Sequence, residues 1–213
     1  LPGSAQFTDN GGGSGSFSWT PGSGDVGGSP YGITFTATDG GGASDSETIQ
    51  VTVNAAGGSG ALGGGVATPT GTASLTSLGS ADWVHWGLSS ASSVNRKAGV
   101  SSQIGGLSVI GGSASRFNAA ARLTYAWSDG TPTGSASTNA GLYIGGNGNG
   151  FELTVPADTT ARRLVVFLGG YKSRGRVQAF LSDGSAPAFD ITVENLSGPY
   201  DRRVTLDYSA AAA

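Results

Sequence analysis

Short stretches of alternating apolar and polar residues recur along the chain, and glycine-rich turns separate them. In the first quarter of the chain they cover residues 17–21, 32–39 and 46–54. Alternation with a period of two is typical of strands that bury one face, and glycine clusters permit the tight turns between such strands. Residues 1–56 therefore predict about three strands, where a closed two-sheet sandwich needs about seven.

Strand signals continue after residues 57–65, which have the composition of a flexible glycine-rich linker. Ten further candidate strands cover 71–76, 82–88, 106–110, 121–127, 140–145, 150–155, 162–169, 175–181, 188–195 and 203–208. Turn sequences such as Asp129-Gly130 and Asp183-Gly184 separate them. No helical period of useful length is present. The pattern predicts an all-β chain with a partial sandwich over 1–56 and a larger, jelly-roll-like β-sandwich over 66–213.

The incomplete first sandwich predicts open sheet edges. The edge positions are apolar and alternate along two strands: Ile33, Phe35, Ala37, Ile49, Val51 and Val53. An open edge with an apolar face is a template for a strand from another chain. The pattern also indicates that the chain starts inside a domain. Two explanations stay open: a subunit that a neighbouring copy completes, or an excerpt of a longer parent chain.

The composition supports many short strands. Glycine occupies 39 of 213 positions and charged residues make up 12%. Glycine costs a helix about 1 kcal/mol relative to alanine, so this composition disfavours helices. The chain has no cysteine, which excludes cysteine-based zinc sites, and it has no methionine. These counts favour a mature, exported bacterial product at an extracellular or cell-surface location. No run of 18 apolar residues predicts a membrane span.

Charge is distributed unevenly between the two parts of the chain. Residues 1–56 contain five carboxylates and no Lys or Arg, whereas all 11 basic residues and nine acidic ones follow. Opposite net charges, about −5 and +2, favour head-to-tail association between copies. The basic residues are scattered and no recognition motif accompanies them. We therefore expect no nucleic-acid partner.

Several segments form patterns that occur in known modules. In the first part these are GSFSWTP at 15–21, ITFTATDGGGASD at 33–45 and TIQVTV at 48–53. They resemble the C-terminal half of the immunoglobulin-type, cadherin-like modules of large bacterial surface and secreted proteins. In the later part they are DWVHWG at 82–87, NRK at 95–97, FELTVPADT at 151–159 and LSDGS at 181–185. These resemble an uncharacterised β-sandwich module that accompanies such domains, which implies an extracellular multidomain setting.

The cadherin-like resemblance implies calcium as a candidate cofactor. Asp39 in Ala37-Thr38-Asp39 matches one family ligand, and Asp45 is a further candidate. The chain departs from the family pattern at residues 54–56, where Asn-Ala-Ala stands in place of an Asp-Asn-Asp cluster. Calcium takes six to eight oxygens, more than these two aspartates supply. We expect no obligatory cofactor and a turn-capping role for Asp39, with calcium as the alternative.

The sequence offers no catalytic constellation. Its one histidine, His85, lies between Trp83 and Trp86, and no Gly-x-Ser-x-Gly elbow accompanies it. In a strand, Trp83 and His85 share one face, while Val84 and Trp86 share the other. We expect His85 to be a packing or surface residue and the protein not to be an enzyme.

Two non-enzymatic functions fit the pattern. The preferred hypothesis is an extracellular structural subunit that assembles into a fibre or surface layer by β-strand complementation, with other copies of itself or a parent multidomain chain as partners. The alternative is a carbohydrate-binding or adhesion module that recognises a polysaccharide. The candidates for stacking on sugar rings, with a neighbouring cation, are Trp83, Trp127, Tyr143, Tyr171 and Arg174. Exposure of the rings distinguishes a sugar site from a core.

Overall fold

The structure, a computed structural model, describes residues 3–21, 25, 28–53 and 60–211. The chain divides into two compact units, Leu1–Gly57 (unit 1) and Gly58–Ala213 (unit 2). Strands dominate both, and the described residues contain one α-helix of four residues. The prediction of an all-β fold is confirmed. Within the described ranges, no helix has the length and apolar character needed to cross a membrane.

Unit 1 consists of two antiparallel hairpins. Their strands are β1 (Gln6–Gly11), β2 (Ser14–Ser18), β3 (Tyr31–Thr38) and β4 (Ser44–Val51), with β1 paired to β2 and β3 paired to β4. The sequence pattern predicts β2, β3 and β4 but not β1. Phe7 is the one apolar residue of β1, so this strand shows no alternation. Between β1 and β2 the chain turns through Gly11, Gly12 and Gly13 at φ values of 76°, 65° and 78°. Glycine reaches these values without steric cost.

Aromatic side chains join the two hairpins of unit 1. The ring centroid of Phe35 in β3 lies 5.9 Å from that of Phe7 and 5.7 Å from that of Phe17. Ile33 and Val53 are the buried apolar residues of unit 1 among those described, whereas Phe7 keeps 49% of its surface exposed. Two-stranded sheets are marginal by themselves and depend on such packing. The core of unit 1 is therefore small and incompletely covered.

The described part of unit 2 contains thirteen strands and the helix. They are β5 (Ala61–Ala67), β6 (Thr72–Ser74), α1 (Leu75–Leu78), β7 (Val84–Trp86), β8 (Val94–Lys97), β9 (Ser108–Ile110), β10 (Ser115–Asn118), β11 (Thr124–Trp127), β12 (Gly130–Thr131), β13 (Ala136–Thr138), β14 (Ala140–Tyr143), β15 (Gly150–Glu152), β16 (Arg162–Ala179) and β17 (Phe189–Ser209). The strands form five small sheets, ordered β16-β17-β5, β13-β11-β6, β12-β8-β7, β10-β14 and β15-β9. All pairs are antiparallel except β6 with β11.

The aromatic core of unit 2 lies where α1 meets β11. Leu75, Trp83 and Trp127 form a buried cluster, and the ring centroids of the two tryptophans are 5.2 Å apart. Helix α1 begins after the N-cap Ser74, whose hydroxyl oxygen accepts a hydrogen bond from the Ser77 N–H at 3.3 Å. Such a cap satisfies one of the free N–H groups of the first turn. It fixes the start of the turn that carries Leu75 into the core.

The two longest strands, β16 and β17, form one ribbon that folds back on itself. In a straight strand, Phe189 and Leu206 would lie about 56 Å apart, at about 3.3 Å per residue. Instead both side chains flank Gly64 of β5: a Cβ atom there would lie 2.9 Å from Leu206 Cδ2 and 3.2 Å from Phe189 Cε2. A register shift between Tyr171 and Ser173 marks the break in the ribbon's regular pairing. The fold therefore brings two distant parts of β17 together over β5.

The structure corrects three predicted boundaries. Residues 61–65, predicted as linker, belong to β5, and residues 57–59 lie outside the described part of the chain. The predicted strands 162–169 and 175–181 merge into β16, and 188–195 and 203–208 merge into β17. The predicted breaks at 170–174 and 196–202 do not end the strands. They lie opposite each other in the ribbon, where Tyr171 pairs with Pro199, so the pairing continues on both sides of them. Local turn signals gave no information about this cross-strand alignment.

Candidate functional site

Strand β3 presents unpaired backbone groups along its outer edge. At the β3–β4 turn the Asp39 N–H donates to the Ala43 carbonyl oxygen at 2.8 Å, so these residues form a hydrogen-bonded pair. Along an antiparallel ladder such pairs alternate with pairs whose N–H and C=O groups point outwards. Continued through the observed register, this alternation directs the backbone groups of Thr34 and Thr36 away from β4. In the two-stranded sheet β3-β4 no other described strand receives them.

Strand β4 follows the same alternation. The Ser46 N–H donates to the carboxylate oxygen of the preceding Asp45 at 3.0 Å and not to β3. The hydroxyl oxygens of Thr34 and Thr48 lie 2.7 Å apart, as the short spacing of a pair without backbone hydrogen bonds allows. Apart from the Ser46 N–H, the outward backbone groups on both edges of the hairpin are therefore free donors and acceptors, and exposed hydroxyl side chains line them.

The structure corrects the residues assigned to these edges. Ile33, Phe35, Ala37, Ile49 and Val51 do lie in β3 and β4, and Val53 lies two residues beyond the end of β4. The backbone groups of the five that lie in β3 and β4 face the partner strand, because these residues occupy the hydrogen-bonded pairs. Ile33 is buried and Phe35 packs against the β1–β2 hairpin, whereas Ile49 stays 41% exposed. The outward backbone groups belong to the residues between these apolar positions, such as Thr34 and Thr36. Apolar patterning does not identify those residues.

Unit 2 has a further open edge at β5. This strand is the outermost of the sheet β16-β17-β5, and its second edge makes no backbone hydrogen bond to any described residue. A shallow groove of about 720 Å³ runs beside it, lined by residues 60–65 together with Ala186, Pro187, Thr205 and Asp207. Three consecutive glycines, at 63–65, leave the middle of this strand without side chains.

The two calcium candidates make local hydrogen bonds. The Asp39 carboxylate accepts the N–H groups of Gly41 (2.8 Å) and Ala43 (2.9 Å), which closes the β3–β4 turn. Asp45 accepts the N–H of its neighbour Ser46. Among the described residues, no group of three or more acidic, His or Cys side chains is arranged to hold a metal ion. The geometry uses Asp39 as a turn cap, and residues 54–56 lie outside the described ranges.

Two of the predicted sugar-stacking residues belong to the core. Trp83 and Trp127 are 3% and 4% exposed, so neither presents a ring face to a ligand. Their indole N–H groups are satisfied internally: Trp83 Nε1 donates to Asp129 Oδ1 at 2.9 Å, and Trp127 Nε1 donates to the Thr133 carbonyl oxygen at 2.9 Å. The prediction that these two rings bind sugar is wrong, because alternation shows which residues share a face but not which face is covered.

The remaining sugar candidates are exposed but separated. Tyr143 and Tyr171 keep 51% and 64% of their surfaces exposed, and no ring contact joins them in the described structure. Lys172 Nζ lies 5.5 Å from the Tyr171 ring centroid, and Arg174 Nε pairs with the Glu194 carboxylate at 2.6 Å. Tyr171 thus has one cation over its ring in the ribbon, whereas Tyr143 lies in a different sheet.

Asp129 organises the polar rim of the aromatic core. Besides Trp83 Nε1, its carboxylate accepts hydrogen bonds from Thr76 Oγ1 and Lys97 Nζ, both at 2.5 Å. Desolvation acts to raise the pKa of Asp129, but these three donors and the charge of Lys97 outweigh it and hold that pKa below its ordinary value. The sequence identifies the Asp129-Gly130 turn but not this role, because residues 76, 83 and 97 meet only in the folded chain.

His85 is a core residue. It is 6% exposed, and its ring centroid lies 5.2 Å from that of Trp127 and 5.7 Å from that of Tyr125. Nε2 lies 3.0 Å from the Ala140 carbonyl oxygen, which only accepts hydrogen bonds, so Nε2 carries the proton. Nδ1 is buried and has no partner among the described residues. Burial lowers the pKa of His85, and the bond to Ala140 offsets this only in part.

We expect stability to fall as the pH drops from about 7 to about 5. The folded-state pKa of His85 lies below the unfolded value of 6.5, so the unfolded chain binds the proton more tightly. The contribution is complete above the unfolded pKa and is lost as the pH falls below it. Because His85 is the single histidine, a His85→Gln variant should show a flatter melting-temperature profile over this range. Equal slopes in both proteins would contradict this assignment.

The chain was compared with known proteins at the levels of family, sequence and structure. It matches no protein-family model, no curated protein and no solved structure. The cadherin-like resemblance of the first part therefore stays a prediction. The open strand edges of β3, β4 and β5 are the geometric features that bear most directly on function.

Proposed function

We propose that the protein is a non-enzymatic, extracellular structural subunit that assembles with copies of itself by β-strand pairing. The observation that carries this proposal is the row of outward backbone groups on β3 and β4, at positions such as Thr34, Thr36 and Thr48. An added strand gains main-chain hydrogen bonds along its whole length, which makes an open edge a natural site of assembly. The product is a fibre or a surface layer.

The incomplete core of unit 1 favours the same function. Phe7 and Ile49 are large apolar residues of the two unit 1 hairpins, with 49% and 41% of their surfaces exposed. Each Å² of apolar surface removed from water contributes about 25 cal/mol. A strand from a neighbouring copy that covers these side chains therefore stabilises both the interface and unit 1.

The charge distribution supports head-to-tail contacts. Unit 1 contains five carboxylates and no basic side chain, while the remaining residues carry 11 basic and nine acidic groups. Complementary net charge steers one copy's unit 1 towards another copy's unit 2 and disfavours contacts between like units. The open edge of β5 lies in unit 2 and offers an acceptor for a strand of unit 1. Such a heterologous contact generates an open chain of subunits.

A proline in β3 tests the proposal. Thr36→Pro removes an outward N–H and places the ring on the free edge, while the ladder bonds to β4 are kept. We expect the unchanged protein to form oligomers whose mass rises with concentration above the 20.9 kDa of one chain. The Thr36→Pro variant should remain monomeric. Light scattering coupled to size-exclusion chromatography measures both, and negative-stain microscopy shows whether fibres form.

Thr36→Val is the matched control for this experiment. It keeps the N–H group and the strand preference of the site, so it should assemble like the unchanged protein. Circular dichroism establishes that all three proteins contain the same amount of strand. A monomer at the highest soluble concentration of the unchanged protein, or assembly of Thr36→Pro to the same mass, would overturn the proposal.

A further inference from the structure

A second groove, of about 320 Å³, opens on unit 2 between the β7–β8 pair and the segments around β9. Its lining is mostly apolar and includes Trp86, Val94, Leu107 and Val109. The two polar side chains in the lining are those of Arg96 and Ser92. Ligand sites typically have volumes of about 300–1,000 Å³ and combine apolar walls with a few polar groups. The groove lies at the small end of this range, which suits a single ring-sized ligand.

The strand register explains why this groove lies opposite the aromatic core. Trp86 pairs with Val94, and Arg96 lies two positions further along β8, so all three project from the same face. The pair between them, His85 and Asn95, projects from the other face and is buried at 6% and 2% exposure. The alternation that places His85 in the core therefore places the Trp86 indole in the groove.

Arg96 gives the groove a fixed positive charge. Its guanidinium donates to Ser102 Oγ and, at 2.8 Å, to the Ile104 carbonyl oxygen. These bonds orient the side chain, and they leave the charge without an ionic partner in the described part of the chain. The groove lining contains no Asp or Glu. A ligand with a carboxylate would supply the missing counter-charge.

We propose that this groove binds a pyranose ring that carries a carboxylate, as in the hexuronate units of an acidic polysaccharide. The apolar face of the ring packs against the Trp86 indole, and Val94 and Val109 flank it. The carboxylate pairs with Arg96, because a guanidinium and a carboxylate match in charge and geometry. A neutral sugar leaves Arg96 unpaired and binds less tightly. Assembly through β3 and β4 and sugar binding in this groove are independent of each other.

Two substitutions test the groove, and a third serves as control. Trp86→Ala removes the stacking surface. Gly106→Phe fills the groove, and a Cβ atom at Gly106 meets no atom within 4 Å. Tyr171→Ala removes an exposed ring from the ribbon, outside the groove. Native gel electrophoresis through polygalacturonate or through neutral dextran measures binding, and circular dichroism confirms the fold of each variant.

The unchanged protein and Tyr171→Ala should be retarded by polygalacturonate and not by dextran. Trp86→Ala and Gly106→Phe should each bind polygalacturonate at least tenfold more weakly. Trp86→Ala and Gly106→Phe leave the net charge unchanged, so a loss of retardation in these variants separates groove binding from non-specific attraction to the polyanion. Four results would overturn the proposal: no retardation of the unchanged protein, equal retardation by dextran, full binding by Gly106→Phe, or loss of binding in Tyr171→Ala alone.

Discussion

Trp83→Ala should lower the free energy of unfolding by about 3–5 kcal/mol, as expected for truncation of a buried tryptophan. The indole is 3% exposed and packs against Trp127 at a centroid distance of 5.2 Å. Its removal leaves a cavity beside Leu75 and withdraws one donor from the Asp129 carboxylate. Urea unfolding followed by far-ultraviolet circular dichroism measures the change.

Tyr143→Ala is the matched control for this substitution. Both residues are aromatic members of unit 2 strands or their flanks, but Tyr143 is 51% exposed. Its truncation should change the free energy of unfolding by no more than about 0.5 kcal/mol, as for surface sites without special contacts. Similar losses in the two variants would show that Trp83 is not in the core described here.

Gly64→Ala should be the most damaging single-methyl change in β5. A Cβ atom at this position would lie 2.4 Å from the Thr205 carbonyl oxygen and 2.9 Å from Leu206 Cδ2. The first neighbour is backbone and cannot rotate away, so β5 and β17 must separate at this position. We expect a loss of about 2–3 kcal/mol, within the range for overpacked cores.

The neighbouring glycines provide internal controls. A Cβ atom at Gly63 or at Gly65 meets no atom within 4 Å. Gly63→Ala and Gly65→Ala should therefore be neutral or stabilise by up to about 1 kcal/mol, because they restrict the unfolded chain. Equal unfolding midpoints for the three alanine variants would contradict the close packing of β5 against Thr205 and Leu206 at Gly64.

The local pattern was sufficient to predict the all-β fold class and, for some strands, which side chains share a face. Alternation placed Trp83 and His85 on one side of a strand and Trp86 on the other, and the structure agrees. The hairpin of β3 and β4 follows from its two alternating runs and the turn that Asp39 closes. These features depend on residues close together in sequence, so the sequence contains the relevant signal.

Features that depend on residues distant in sequence could not be predicted from the local pattern. Strand β5 is rich in glycine and has no apolar alternation, so it becomes a strand only by pairing with the end of β17. The prediction that Trp83 and Trp127 are exposed failed for a related reason, because the two rings are distant in sequence and bury each other in the folded chain. The free edge of β3 depends on the phase of the hydrogen-bonded ladder, which side-chain patterning does not reveal.

The pairing of β5 with β17 also has a consequence during synthesis. Ala61 pairs with Ser209, so the first strand of unit 2 emerges from the ribosome about 150 residues before its partner. At about 5–20 residues per second, the nascent strand waits roughly 7–30 s in an unpaired state. Segments that aggregate as stacked strands contain few glycines, whereas β5 has three in a row. Its weak intrinsic strand preference keeps the waiting segment from pairing with the wrong chain.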